Sequence, residues 1–158
     1  MKLFPEERIM RVQDIMTPDP ARCTRYAALT DVARMMRDRD CGAIPVVEDN
    51  SRKLIGIISD RDIVVRTLGQ GRNPFHLMAS DCMTMVAATV RPEDSIEECA
   101  KRMQEHKVRR IVVVDAQGNC CGIVAQADLA RFVPKQTTGQ VVRELSQPVQ
   151  AAALKGGK

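Results

Sequence analysis

The sequence is poor in aromatic residues: among its 158 residues it has no tryptophan, one tyrosine and three phenylalanines. With so few rings, stacking of nucleic-acid bases on aromatic side chains is not an expected function. Hydrophobic residues nevertheless make up 44% of the chain, which suffices for a globular core. That core must be aliphatic, and it belongs to one domain or to two small halves that share it.

The sequence also lacks the residue patterns that carry enzyme chemistry. Its two histidines, His76 and His106, fall in a linker and at a helix end, and neither belongs to a Ser-His-Asp or Cys-His pattern. Gly69 and Gly71 are not followed by the Lys-Ser/Thr pair of a phosphate-binding loop. We therefore predict no catalytic residues and a protein that is not an enzyme.

Six cysteines are present, but no two form a CxxC pair, and the adjacent Cys120 and Cys121 are poorly placed to chelate one zinc ion. We predict no metal site and interpret most cysteines as small buried hydrophobic residues. The N-terminal segment has no apolar run long enough for a signal peptide or a membrane span. The expected location is the cytoplasm, where cysteines remain thiols, and no membrane contact is predicted.

The formal net charge of +4 is concentrated at the C-terminal end. Beyond Phe132, four basic side chains oppose Glu144 alone, so the rest of the chain is close to neutral. A protein that neutralises many phosphates needs a more basic surface, so nucleic-acid binding is not favoured.

The most informative pattern that is present is an internal repeat. Residues 13–17 return as residues 80–84, 67 positions later, and the same offset carries residues 44–48 onto residues 111–115. After a one-residue deletion, 56–63 matches 122–129. A tandem repeat indicates a unit that cannot bury its apolar face alone and uses its copy to do so. Two copies also imply two clefts of equivalent position.

Each copy has the periodicity of the same few elements. Leu29, Val32, Ala33 and Met36 follow the spacing of an amphipathic helix, and their counterparts do the same in the second copy. Two β-branched runs joined by a polar turn then predict a pair of strands covered on both faces, followed by a short helix. Each unit is therefore predicted to be β-α-β-β-α.

The expected organisation has five segments. An N-terminal segment (1–11) precedes repeat one (12–68), a turn-rich linker (69–78), repeat two (79–133) and a flexible basic tail (134–158).

The order of these segments resembles the cystathionine-β-synthase (CBS) domain in its usual tandem pair. The phrases that carry the likeness are DIMT at residues 14–17, IPVVEDNSRKLIGIISDRDIV at 44–64 and VRRIVVVDAQGNCCGIVAQADL at 108–129. The likeness spans about residues 10–133 and extends to bacterial stand-alone CBS pairs, including the hypoxic-response type.

This resemblance implies an α+β fold of two βαββα repeats packed sheet to sheet with pseudo-twofold symmetry. In the family such pairs commonly form homodimers. The clefts between the sheets often bind adenosine derivatives such as AMP, ADP, ATP or S-adenosylmethionine, although many members have no identified ligand. No cofactor is required, and an adenosine derivative is the expected small-molecule ligand.

By the resemblance, the ribose-binding signature is Ser/Thr-x-x-Asp at the end of the third strand, and residues 59–62 match it with Ser59 and Asp62. An aspartate can accept hydrogen bonds from both vicinal hydroxyls of a ribose. The same spacing also describes a helix N-cap with an acidic third residue, and these two interpretations stay open. In the second copy Ala125 replaces the serine but Asp128 remains, which favours a ligand role for the aspartate and unequal clefts.

The resemblance also implies the remaining ligand contacts. Arg109, just before the second strand of copy two, is expected to reach a phosphate in the cleft with Asp128, and its guanidinium suits that role. The adenine would lie between aliphatic side chains from both copies. These are Ile57, Val86 and Ala87 in the cleft with Asp62, and Ile123, Pro20 and Ala21 in the cleft with Asp128.

The leading hypothesis is a regulatory module: a homodimer whose clefts sense an adenosine derivative and signal to an unidentified protein partner. The alternative is a dimeric interaction scaffold with no nucleotide ligand, whose clefts are filled by Arg61 or by apolar side chains. The dimer prediction also rests on amphipathic helices that each repeat pair would expose. They bear Val32, Met35, Met36 and Met103.

Overall fold

The computed structural model describes residues 8–86 and 88–132. The predicted flexible tail and Ala87 lie outside the described residues, as does most of the predicted N-terminal segment. Within the described ranges, helices and strands follow one another in the same order in both repeats. The helices are α1 Val12–Ile15, α2 Leu29–Arg39, α3 Asp60–Arg66, α4 Ala79–Cys82, α5 Ile96–Glu105 and α6 Gln126–Ala130. The strands are β1 Thr17–Pro18, β2 Cys23–Thr24, β3 Ala43–Val47, β4 Leu54–Ser59, β5 Thr84–Met85, β6 Thr89–Val90, β7 Arg110–Val114 and β8 Cys120–Ala125.

Two four-stranded sheets organise the chain, and each includes one short strand from the other repeat. The first sheet has the order β2-β3-β4-β5, and the second has the order β1-β8-β7-β6. The hairpins β3–β4 and β7–β8 are antiparallel, whereas β2 and β6 run parallel to the hairpins' first strands. Strand β5, at the beginning of repeat two, pairs with β4 of repeat one, and β1 pairs in the same way with β8. Each sheet is therefore completed by the opposite repeat.

The hydrophobic cores show the same exchange. Val12 and Ile15 of α1 pack in the core of repeat two, together with Ile96 of α5. Ala79 and Cys82 of α4 pack in the core of repeat one. Neither repeat completes its core without the first helix of its copy, which is the physical reason for the tandem arrangement.

The two hairpins meet at a third apolar cluster between the sheets. Its buried members are Val47, Val112, Val114 and Cys120. Backbone hydrogen bonds also join the hairpins at this point. The Leu54 N–H donates to the Gly118 carbonyl at 3.1 Å, and the Cys120 N–H donates to the Arg52 carbonyl at 2.8 Å. These contacts hold the sheets face to face and leave a cleft on each side.

The apolar stripes of α2 and α5 are buried inside the single chain. Val32, Met36 and Met103 are 0%, 7% and 0% exposed, and Met35 is half-buried. The expectation that these helices expose an apolar face for dimerisation was therefore wrong, because the exchanged helices α1 and α4 complete the cores that the stripes face.

The predicted α+β fold with two sheets is confirmed. The predicted hairpins and the two amphipathic helices lie where the periodicity indicated. The short elements α1, α4, β1 and β5 were not predicted, because two to four residues are too few to show a hydrophobic period. All six cysteines lie within the described ranges and are free thiols.

Candidate functional site

The strand-to-helix junction of repeat one holds a complete reciprocal cap. Ser59 is the N-cap of α3, and its hydroxyl accepts a hydrogen bond from the Asp62 N–H at 3.1 Å. The Ser59 N–H donates in turn to Asp62 Oδ2 at 2.9 Å. Asp62 Oδ1 lies 4.0 Å from Arg66 Nη2, which is too far for a hydrogen bond. Capping therefore engages one carboxylate oxygen and leaves Oδ1 able to accept hydrogen bonds from another group.

The junction of repeat two keeps half of this arrangement. The Ala125 N–H donates to Asp128 Oδ2 at 2.8 Å, but the alanine methyl cannot accept a hydrogen bond from the helix N-terminus. Among the described residues, Asp128 Oδ1 has no hydrogen-bond or ion-pair partner. Asp128 thus matches Asp62, with one oxygen held by the backbone and the other available.

A cavity of about 450 Å³ lies beside Asp128 and is lined by both repeats. Its volume falls in the range of small-molecule sites. The structure brings together here four residues that the resemblance assigned to this cleft: Pro20, Ala21, Ile123 and Asp128. The rest of the lining consists of Thr17, Pro18, Asp19, Arg39, Asp40, Cys41, Gly42, Ala43, Arg110 and Ala125.

Arg110 brings a positive charge from repeat two into this cavity. It begins β7 and pairs with Ala125 of β8, so the two side chains lie on one face of the sheet. In the described part of the chain its half-buried guanidinium has no hydrogen-bond or ion-pair partner. It extends toward repeat one, since a Cβ added at Gly42 would lie 2.8 Å from Arg110 Nη2. Such a guanidinium can donate two parallel hydrogen bonds to a phosphate.

Arg109, the predicted phosphate contact, is exposed and does not line this cavity. Neighbouring residues of an extended chain point to opposite sides, which separates Arg109 from Arg110. The counterpart of Arg109 in repeat one is Gly42, which lines the cavity beside Asp128. The pseudo-twofold relation therefore associates Arg109 with the opposite cleft.

Two of the apolar residues predicted for the cleft beside Asp62 lie on or next to the paired strands β4 and β5. Ile57 of β4 is half-buried, and its partner in the sheet is Thr84 of β5. Val86 follows β5 and is also half-buried. Ala87 lies outside the described residues, so its predicted contact stays a prediction.

Repeat one has an alanine at the strand position where repeat two has this arginine. Ala43 pairs with Ser59 as Arg110 pairs with Ala125. Arg61, which the scaffold hypothesis placed inside the cleft, is exposed. The two repeats therefore differ in charge at this position as well as in capping.

Two further groups of the Asp128 cavity have shifted pKa values. The Arg22 guanidinium donates to Asp19 Oδ1 at 2.7 Å, and this hydrogen bond lowers the pKa of the Asp19 carboxyl. Burial raises the pKa of the Cys41 thiol, which Arg110 partly opposes by its charge. At neutral pH the wall thus carries an ionised Asp19 and a neutral thiol.

No set of three His, Cys, Asp or Glu side chains that could hold a metal ion occurs among residues 8–86 and 88–132. In those same ranges, no helix is long and apolar enough to cross a membrane.

Two sheets completed by exchanged strands, each with an acidic residue in the first turn of the helix that follows its hairpin, define a tandem pair of small α+β repeats. Both repeats match the family model described as CBS domain, over residues 12–68 and 79–135. The chain therefore belongs to the CBS-domain family, and the predicted tandem pair is confirmed.

Similar proteins include stand-alone CBS pairs. Hypoxic response protein 1 of Mycobacterium tuberculosis is 34% identical over 141 residues, covering 89% of this chain and 97% of the relative. A crystal structure of Hypoxic Response Protein I with two coordinated zinc ions matches at 35% identity and a TM-score of 0.69, covering 79% of this chain and 100% of that one. A crystal structure of CBSX2 in complex with AMP matches at 27% identity and a TM-score of 0.66, covering 77% of this chain and 93% of that one. The predicted likeness to the hypoxic-response type is confirmed.

Sequence reasoning missed two arginines near the clefts. Arg110 was passed over for its neighbour Arg109, although strand alternation from the buried Ile111 would have put Arg110 on the same face as Val112. Arg66 stands four residues after Asp62, the spacing of neighbours on one helix face, and this signal was available in the sequence.

Proposed function

We propose that this chain is a regulatory module that binds an adenosine derivative in the clefts between its repeats and signals to a protein partner. The observation that carries the proposal is the Asp128 cavity, in which an unpaired guanidinium and a carboxylate oxygen free to accept hydrogen bonds stand beside small apolar residues. The similarity to a CBS protein in complex with AMP supports this ligand class.

In the Asp128 cavity, each group has a distinct proposed role. Asp128 Oδ1 accepts hydrogen bonds from the ribose hydroxyls while Oδ2 stays on the Ala125 N–H. Arg110 donates to the phosphate. The adenine lies between Ile123 on one side and Pro20 and Ala21 on the other, where its burial removes apolar surface from water.

In the Asp62 cleft, the ribose contact is the same and the phosphate contact differs. Asp62 Oδ1 accepts from the ribose, and Ser59 supports the carboxylate through the cap. Ile57, Val86 and Ala87 surround the adenine. The phosphate contact falls to Arg109, which the pseudo-twofold relation associates with this cleft. Because Arg109 is exposed, we propose that this cleft binds nucleotides more weakly than the other.

A thermal-shift panel tests the function directly. We expect AMP, ADP, ATP or S-adenosylmethionine to raise the melting temperature, and GMP to serve as the control for adenine. A ligand at one hundred times its Kd stabilises the folded state by about 2.7 kcal/mol, which amounts to several degrees. If no adenosine derivative shifts the melting temperature at millimolar concentration, the sensor function is contradicted and the scaffold is favoured.

The alternative function is a dimeric scaffold, and one observation favours a dimer under either hypothesis. Four large apolar side chains on and after α3 are strongly exposed. They are Val64 at 55%, Val65 at 48%, Leu68 at 70% and Phe75 at 76%. The counterparts of Val64 and Val65 in repeat two are Ala130 and Arg131, so the repeat pattern itself does not require this surface. We propose that a second copy covers it across a twofold axis.

The proposed module has no catalytic role and requires no cofactor or metal ion. We place it in the cytoplasm, where six free cysteines would remain reduced. Its signal would pass to a protein partner through a change in the exposed surface of the dimer.

A further inference from the structure

The most heavily used side-chain donor near the clefts is Arg66, the last residue of α3. Its Nη1 donates to the carbonyls of Cys82 and Met83 at 2.7 Å each, and its Nη2 donates to Thr84 Oγ1 at 3.1 Å. One half-buried guanidinium thus joins α3 of repeat one to the end of α4 and the start of β5.

Strand β5 is the counterpart of β1, which lines the Asp128 cavity, so the pseudo-twofold relation makes β5 the wall of the Asp62 cleft. It pairs with β4 at two positions only, Gly56 with Met85 and Ile57 with Thr84. A two-residue strand forms few hydrogen bonds, and these offset only part of the conformational entropy that the chain loses when the strand becomes ordered. The three hydrogen bonds from Arg66 therefore contribute a large share of what holds this wall in place.

The same guanidinium faces the ribose-binding carboxylate. Arg66 Nη2 lies 4.0 Å from Asp62 Oδ1, one helical turn earlier on α3. At that distance it attracts the carboxylate without occupying its lone pairs. Arg66 thus fixes both the wall of the cleft and the direction of the carboxylate.

The Asp128 cleft has no equivalent. The counterpart of Arg66 in repeat two is Phe132, which cannot donate a hydrogen bond from its side chain and is 43% exposed. Among the described residues, no side chain donates to the carbonyls of Ile15 and Met16, which correspond to Cys82 and Met83. The wall of that cleft is held instead by a backbone bond from the Asp19 N–H to the Cys121 carbonyl at 3.1 Å.

We propose that Arg66 is a positioning residue for the Asp62 cleft alone, an inference that rests on the proposed function. It sets the distance between the β5 wall and the Asp62 carboxylate, so that ligand affinity in this cleft depends on a side chain that does not touch the ligand. Lysine cannot replace it, because a single ammonium lacks the planar fork that reaches two carbonyls and a hydroxyl.

The test measures AMP affinity by titration calorimetry in two backgrounds, Asp128→Asn and Asp62→Asn, each of which weakens one cleft. In the Asp128→Asn background, Arg66→Met should lower AMP affinity at least tenfold and Arg66→Lys should recover less than half of that loss. In the Asp62→Asn background, Arg66→Met should change affinity less than twofold. Equal effects in both backgrounds, or none in the first, would overturn the proposal.

Arg72→Met is the matched control. Arg72 has nearly the same side-chain exposure as Arg66, 37% against 35%, and it also contacts repeat two, through Asp81 at 3.6 Å. Among residues 8–86 and 88–132 its side chain has no hydrogen bond or ion pair with β5, so AMP affinity should stay within twofold in both backgrounds. A loss as large as that of Arg66→Met would show a general structural effect and contradict the positioning role.

Amide hydrogen exchange tests the same proposal without any ligand. Arg66→Met should speed exchange at Thr84 and Met85 at least tenfold and leave Thr17 and Asp19 within twofold. If AMP binds neither cleft in the wild type, the proposed function fails, and hydrogen exchange alone tests the positioning role of Arg66. Unchanged protection of β5 in Arg66→Met overturns that role, whereas a loss of protection confined to β5 supports it.

Discussion

The clefts beside Asp62 and Asp128 occupy equivalent positions in two copies of one unit, yet they differ in the groups that each offers to the proposed ligand. The Asp62 cleft has the full reciprocal cap with Ser59, and strand β3 has the uncharged Ala43 at the position that Arg110 has in β7. The Asp128 cleft lacks the capping hydroxyl but contains Arg110. In both repeats the backbone N–H donates to Oδ2 of the aspartate and leaves Oδ1 available, so a repeat can lose the capping hydroxyl without losing this candidate ligand group.

The largest expected effect concerns the exposed apolar surface formed by Val64, Val65, Leu68 and Phe75. Val64→Glu should raise the dimer dissociation constant at least about a hundredfold, because an unpaired charge would be buried in the contact. Ala130→Glu, at the equivalent position of repeat two, should leave the dimer intact. Light scattering at tens of micromolar measures both. A monomeric wild type, or equal effects of the two variants, would contradict the assignment of this surface.

The second-largest effect is on folding stability and distinguishes the two exchanged strands, β5 and β1. A Cβ at Gly56 would lie 2.8 Å from the backbone carbonyl of Thr84, whereas a Cβ at Gly122 would meet the flexible end of Met16. Gly56→Ala should lower the free energy of unfolding by about 2 kcal/mol and Gly122→Ala by about 1 kcal/mol. Urea denaturation gives both values. A larger loss for Gly122→Ala would refute crowding against the Thr84 backbone carbonyl as the cause of the difference.

Thiol reactivity distinguishes the clefts next. Cys41 lines the Asp128 cavity, and burial raises its pKa, so alkylation by iodoacetamide is best followed at about pH 8.5. At AMP ten times its Kd, the rate at Cys41 should fall about tenfold. Cys121 is equally half-buried but lies outside that cavity, and its rate should not change. Protection that survives Asp128→Asn would place the ligand elsewhere.

The smallest effect concerns the caps themselves. Ser59→Ala should cost about 1 kcal/mol of folding stability, because the Asp62 N–H loses its acceptor. Ala125→Ser should add about 0.5 kcal/mol by completing the cap of repeat two. Thermal unfolding measures both changes in stability. If Ser59→Ala stabilised the protein or Ala125→Ser destabilised it, the capping hydroxyl would not be the main difference between the two junctions.

Much of this comparison could be predicted from the sequence. The offset between the copies located Asp62 and Asp128 and their unequal caps, and β-branched runs located the hairpins. Periodicity could not show what each apolar stripe packs against, so the burial of Val32 and Met36 beneath the exchanged α4 was not foreseen. Which of two adjacent arginines enters a cleft depends on strand register, and the register is set by pairing across the sheet.

The proposed sensor function and the inequality of the clefts can be tested together by one calorimetric titration of AMP into the wild type, Asp62→Asn and Asp128→Asn. Asparagine keeps the size and some capping ability but loses the charged acceptor for two hydroxyls. We predict binding tighter than millimolar in the wild type and a loss of about tenfold to a hundredfold at the mutated cleft. The tighter of the two sites should be the one that Asp128→Asn weakens. No binding below about millimolar, or equal binding by all three proteins, would contradict the account.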